Sequence, residues 1–166
     1  MNKSGHFQYV LPSPIGKLGL NLSARGVEKI AYLTDNTPLK MPRSGLGLEV
    51  LQQMTDYFEL RRKEFNLPLD IKGTPYQQKV WKVVSSIPYG KSKAYSEIAR
   101  KINSGPRAVG NACRHNPVPI IIPCHRVTKK NAVGGYCGSI KSAAVQQKDW
   151  LLQHEQVHQG VLTNGS

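Results

Sequence analysis

Acidic side chains are scarce in this 166-residue chain: 10 Asp and Glu stand against 23 Lys and Arg, for a formal net charge of +13. Such a balance disfavours a cationic partner and attracts polyanions, of which nucleic acid is the commonest. An indifferent basic surface is the plainer reading of the same number. Cysteine is also rare. Cys113, Cys124 and Cys137 are odd in number and none belongs to a C-x-x-C pair, so neither a disulfide framework nor a zinc-ligand spacing is visible. No stretch has the length and apolarity of a membrane span. The first ten residues lack the apolar segment of a secretory signal. A soluble protein in a reducing compartment is therefore expected. No internal repeat is present, and the length is enough to bury a core as one domain or two small ones.

The first part of the chain alternates. Leu18, Leu20 and Leu22 have period two after Pro14-Ile15-Gly16, and Val27 to Leu33 follows Gly26 as a hairpin partner. Residues 34–46 read as a loop. Leu48, Leu51, Thr55 and Phe58, with Met54 alongside, mark one face of a helix, and 64–71 reads as extended. Lys72-Gly73 is the expected boundary. Thr74-Pro75-Tyr76-Gln77 then has the form of a capping box with proline at the first helical position, and Val80, Trp81, Val84 and Ile87 carry the apolar face. A helix-turn-helix pattern follows. Ile98, Ala99 and Ile102 face inward on its first helix, Asn103-Ser104-Gly105 turns, and Pro106 opens a second helix with Val109, Ala112 and Cys113 inward. Ala108, Gly110 and Ala112 keep that second helix small-sided. This fits either tight helix packing or close approach to DNA, with Arg107 projecting from the first turn. A last helix is expected from about 143 to 154.

Chemistry enters at Pro123-Cys124-His125-Arg126-Val127. The apolar run from Val118 to Ile122 reads as a buried strand that delivers Cys124 and His125 to its exit. A Cys beside a His can be drawn toward thiolate, the reactive species, although most free cysteines are buried and inert. The stretch 128–142, rich in Gly, Lys and Ser, reads as a mobile loop near the thiol.

Six segments together resemble the O6-alkylguanine-DNA alkyltransferase family: SPIGKLGL (13–20), GTPYQQKVW (73–81), IPYGKSKAYSEIA (87–99), RAVGNACRHNP (107–117), VPIIIPCHRV (118–127) and WLLQHE (150–155). They keep the family's order and span nearly the whole chain. The resemblance implies an α/β N-terminal domain similar to the ribonuclease H fold over 1–72. It implies a mostly α-helical C-terminal domain with a helix-turn-helix over 73–160, leaving 161–166 as a flexible tail. It also implies a reaction: irreversible, single-turnover transfer of an alkyl group from O6 of guanine in DNA, or O4 of thymine, onto Cys124.

Under the resemblance His125 takes the thiol proton through a water, Glu155 orients the imidazole, and Tyr95 donates to the leaving guanine. Asn116, Val127, Tyr136 and Cys137 surround the base. Arg107 fills the place of the flipped nucleotide, with Tyr95, Ser96, Asn103, Ala108 and Lys130 as further DNA contacts. The expected partner is double-stranded DNA, entered through the minor groove with little sequence preference. A monomer is expected, with no membrane, no metal and no cofactor, cytoplasmic in a bacterium or nuclear in a eukaryote. The chain departs from the family pattern in a shorter stretch between Tyr95 and Arg107, a longer one between Tyr136 and Trp150, and a thiol at Cys137 where a small hydroxyl residue is usual. The chemistry suits these groups: a soft thiolate attacks an sp³ carbon well, and water does not readily cleave the thioether product. A damage sensor of the same fold would lack Cys124. A transcriptional regulator would need an effector region that the chain has no room for. A thiol hydrolase would leave Arg107 and the basic charge without a role.

Overall fold

The computed structural model describes residues 6–129 and 142–164. The chain divides into two compact units, Met1–Lys72 with Pro117–Pro119, and Gly73–Asn116 with Ile120–Ser166.

The first unit is a three-stranded antiparallel meander of β1 (Tyr9–Leu11), β2 (Lys17–Leu22) and β3 (Val27–Leu33), in that order, with one helix, α1 (Gly45–Phe58). Leu18 pairs with Tyr32 and Leu20 with Ile30. Leu18 and Leu20 are buried, as their alternation predicts. Between them, a Cβ at Gly19 would lie 2.6 Å from the Phe7 ring, so bare backbone is what lets that ring close over β2. The Ile30 N–H donates to Pro117 O at 2.9 Å, which accounts for the assignment of Pro117–Pro119 to this unit.

Helix α1 turns inward a face that shares only Met54 with the expected one. Gly47, Val50, Gln53, Met54 and Tyr57 are buried, whereas Leu48, Leu51, Thr55 and Phe58 are only half-buried. Both stripes have helical spacing. Gly47 decides between them, because a Cβ there would meet Pro42 at 2.9 Å and Tyr9 at 3.0 Å. The buried Gln53 ties down the extended stretch by donating to Asn66 O at 3.1 Å and accepting from its N–H at 2.9 Å.

The second unit contains α2 (Pro75–Ser85), β4 (Lys93–Ala94), α3 (Tyr95–Lys101), α4 (Pro106–Arg114), a 3-10 turn at Cys124–Arg126, β5 (Val127–Thr128) and α5 (Ala143–Asn164). The capping box forms: the Gln77 N–H donates to Thr74 Oγ1 at 3.1 Å, and the Thr74 N–H donates to Gln77 Oε1 at 3.0 Å. Val80, Trp81, Val84 and Ile87 are buried. Trp81 Nε1 donates to Ala112 O at 2.9 Å and pins α2 to α4. Asn103 closes the α3–α4 turn in the left-handed region at φ 54, where Asn is among the few residues that sit readily. β4 and β5 pair in parallel, Lys93 with Val127 and Ala94 with Thr128.

Two expectations are corrected. Val118, Ile120 and Ile122 are buried, but 118–122 is not a strand. It runs as bends and turns with isolated bridge residues, because Pro119 offers no N–H and Ile120 takes φ 76. The last helix does not stop near His154; it is helical through Asn164. Its one glycine there, Gly160, weakens a helix by only about 1 kcal/mol. Among the described residues no helix is long and apolar enough to cross a membrane.

Candidate active site

Cys124 opens the 3-10 turn, with its N–H donating to Ile122 O at 2.8 Å. Cys124 as a residue is half-buried. Asn116, just beyond α4, donates from Nδ2 to Ile122 O at 2.8 Å and its side chain also bonds Cys124. It therefore braces both the turn and the sulfur.

The next two residues point into the interior and share one carboxylate. Glu155, 1% exposed on α5, accepts from His125 Nε2 at 2.7 Å and Arg126 Nη2 at 2.9 Å through Oε2. Its Oε1 accepts from Arg126 Nε at 2.9 Å and the Gly90 N–H at 3.2 Å. Arg126 also donates from Nη1 to Ile87 O at 2.8 Å, and its guanidinium stands 5.5 Å from the centre of the Tyr89 ring. Burial would raise the Glu155 carboxyl, but the hydrogen bonds from His125 and Arg126 outweigh it and hold the group far below the usual carboxylate range. Burial lowers His125, against the opposing pull of Glu155. The imidazole is thus neutral near pH 7. With Nε2–H committed to a carboxylate, its free lone pair lies on Nδ1, which is buried and has no partner among the described residues.

The thiol does not rest as an isolated thiolate. Cys113, on α4, lies within hydrogen-bonding reach of Cys124. That neighbouring sulfur and burial push Cys124 up, while Asn116 and Lys148 pull it down. Lys148 on α5 donates to Tyr95 Oη at 3.1 Å and to Val127 O, so it joins the first residue of α3 to the strand beyond the thiol.

The structure therefore brings together Cys124 with Asn116, His125 with Glu155, and Tyr95 with Val127 through Lys148. Ser96, Asn103, Arg107 and Ala108 lie outside these bonds. Arg107 and Ala108 are exposed on the first turn of α4, Asn103 is exposed in the turn before it, and Ser96 is half-buried on α3. Lys130, Tyr136 and Cys137 lie outside the described residues, as does nearly all of the expected loop at 128–142. Among the described residues no group of three or more His, Cys, Asp or Glu could hold a metal ion.

Sequence reasoning missed Arg126, Lys148 and the role of Cys113. Two signals were available. Arg126 is a charge set between an apolar run and Val127. Lys148 and Glu155 are seven residues apart on one helix, so they share a face.

The chain is similar to proteins already known. The family model described as 6-O-methylguanine DNA methyltransferase, DNA binding domain, matches residues 75–157. A constitutive methylated-DNA–protein-cysteine methyltransferase of Bacillus subtilis is 47% identical over 112 residues, 66% of each chain. A methylated-DNA–protein-cysteine methyltransferase of Methanosarcina mazei is 33% identical over 158 residues, 90% of this chain and 97% of its own. Among solved structures, Mycobacterium tuberculosis OGT in complex with DNA is 36% identical and covers 90% of this chain and 92% of its own, with a TM-score of 0.74. With the thiol, imidazole and carboxylate disposed as above, the chain belongs to the 6-O-methylguanine DNA methyltransferase family.

Proposed function

We propose that this protein repairs DNA by direct reversal, moving an alkyl group from O6 of guanine onto Cys124 in one irreversible step. The observation that carries the reading is the half-buried Cys124 heading a turn whose next residue, His125, is locked to the buried Glu155. A water between Cys124 Sγ and His125 Nδ1 carries the thiol proton to the imidazole. Glu155 stabilises the resulting imidazolium, as the acid of a catalytic triad does. The sulfur attacks the alkyl carbon, a C–S bond forms and the C–O bond breaks. The electron pair leaves on the guanine ring, where Tyr95 Oη donates. Lys148, bonded to that hydroxyl, strengthens the donor.

The target atom is out of reach inside a duplex, so the nucleotide is rotated out at a cost of a few kcal/mol. Arg107 fills the vacated place. Ser96, Asn103, Ala108 and Lys130 contact the backbone as α3 and α4 act as a helix-turn-helix whose second helix enters the minor groove. Recognition there is degenerate, so little sequence preference follows. Asn116, Val127, Tyr136 and Cys137 surround the base. The protein works as a monomer, and its first unit is a reduced ribonuclease H-like domain.

Mass spectrometry after incubation with O6-methylguanine duplex tests the reading. The expected result is one added methyl group on the peptide 115–126, saturating at one per chain. Unmodified protein that still binds the duplex would mark a damage sensor instead. Cys124→Ala is expected to abolish transfer and keep DNA binding.

A further inference from the structure

An ionised carboxylate offers about four acceptor sites, two on each oxygen, and on Glu155 all of them are filled. His125 Nε2 occupies one at 2.7 Å. Arg126 occupies two, bridging both oxygens side-on through Nε and Nη2 at 2.9 Å each. The Gly90 N–H occupies the last at 3.2 Å. The third guanidinium nitrogen, Nη1, reaches Ile87 O at 2.8 Å, and Gln156 Nε2 donates to Gly90 O at 2.7 Å. The carboxylate is thus tied to the end of α2 and to the turn that follows it. It cannot rotate away from the imidazole without breaking a bond to Arg126.

Charge follows the same geometry. Glu155, Arg126 and His125 are all buried, so their charges are weakly screened. A carboxylate alone beside His125 would hold the ring in its charged form. Burial opposes this most, and Arg126 and Lys148 act in the same direction. Tyr89, near the guanidinium, is pushed up to about 12 by burial and by Glu155, and so is neutral. Helix α2 also packs on this turn, and the residues it buries, Val80, Trp81 and Val84, carry no charge.

We propose that Arg126 is a positioning residue for the transfer reaction: its fork fixes Glu155 against His125 and balances the carboxylate's charge, so that the imidazole stands as a free base ready for the thiol proton. Arg126 acts through Glu155 and takes part in no bond that forms or breaks. Its effect on transfer rests on the function proposed above; its effect on the ring does not.

Single-turnover methyl transfer from saturating O6-methylguanine duplex is followed from pH 5 to 9, with a thermal melt at each pH to exclude unfolding. In Arg126→Gln the unbalanced carboxylate should move the acid limb of the rate up by about 1–3 pH units. Adding Glu155→Gln to that variant should bring the limb back down. Arg126→Lys keeps the charge without the fork, so the limb should stay near its native position while the plateau rate falls. A lower plateau with an unmoved limb in Arg126→Gln would overturn the proposal, because a merely structural residue slows transfer without changing its pH dependence. Nitrogen-15 NMR of the histidine-labelled native chain needs no variant to fold except His125→Gln, whose missing signal assigns the ring. The expected ring is neutral at pH 7, with the proton on Nε2, and titrates below about 6.5. A charged ring at pH 7 would overturn the proposal. If the native chain never accepts a methyl group, the repair reading fails by itself. The ring's titration in Arg126→Gln then decides the charge balance: an upward shift supports it and no shift overturns it.

Discussion

Glu155 is the residue on which the site turns, because one carboxylate serves an imidazole, a guanidinium and a backbone N–H. Breaking a buried ion pair by removing one partner costs about 3–5 kcal/mol, since the other charge is left uncompensated. Arg126→Met is expected to destabilise by that order in denaturant titration, and Arg126→Met with Glu155→Leu to recover part of the loss. The same residues set an acid limit. His125 is lowered in the folded state, so the unfolded chain binds more protons as pH drops below about 6.5. Stability is full above that point and is lost as pH falls through it. Glu155, also depressed, adds a second loss below about 4.3, its unfolded value. Thermal melts from pH 8 to about 3 should show both, and His125→Gln should remove the first. At this scale the sequence was informative about identity and silent about geometry. Cys124 and His125 stood out as neighbours, but only the folded chain shows the imidazole turned away from the thiol's own turn toward α5, and Cys113 placed beside the sulfur.

Among the elements, α2 was the most legible, because its capping box and apolar spacing are local signals that tertiary packing had no reason to override. Thr74→Ala should cost about 1 kcal/mol in stability with transfer chemistry intact. Helix α1 was misread by its register, since two stripes compete and a glycine contact made elsewhere in the chain selects one. The run at 118–122 was misread because burial and strand geometry are separate properties: Ile120 is buried while its backbone is left-handed. Helix α4 sets a sharper test. The nearest neighbour to a Cβ at Gly110 is Tyr95 at 3.8 Å, an ordinary contact. Packing inside the protein therefore does not demand glycine there. Gly110→Ala should stabilise the fold by up to about 1 kcal/mol through helix propensity. If α4 enters a narrow groove, the same variant should bind duplex DNA more weakly, as measured by titration at fixed salt. Equal binding would remove the close-approach reading of that small-sided face.

For the whole molecule, a net charge of +13 makes the attraction to a duplex chiefly electrostatic. Affinity should fall linearly on a log–log plot against salt, whereas reaction with the free base O6-benzylguanine should change little. Arg107→Ala should slow repair in duplex more than reaction with that free base, because only the former needs a nucleotide extruded; equal losses would argue against a place for Arg107 in the stack. Composition foresaw the polyanion but could not place it on one face.

Lys148 and Glu155 lie two turns apart on α5, one reaching the tyrosine hydroxyl and the other the imidazole. The helix works as a camshaft: each added residue turns everything after it by about 100°. One extra alanine between them would swing the two lobes out of phase, and seven would restore the phase but displace one lobe along the shaft. Spacing along this rod is thus as much a part of the chemistry as the sulfur itself.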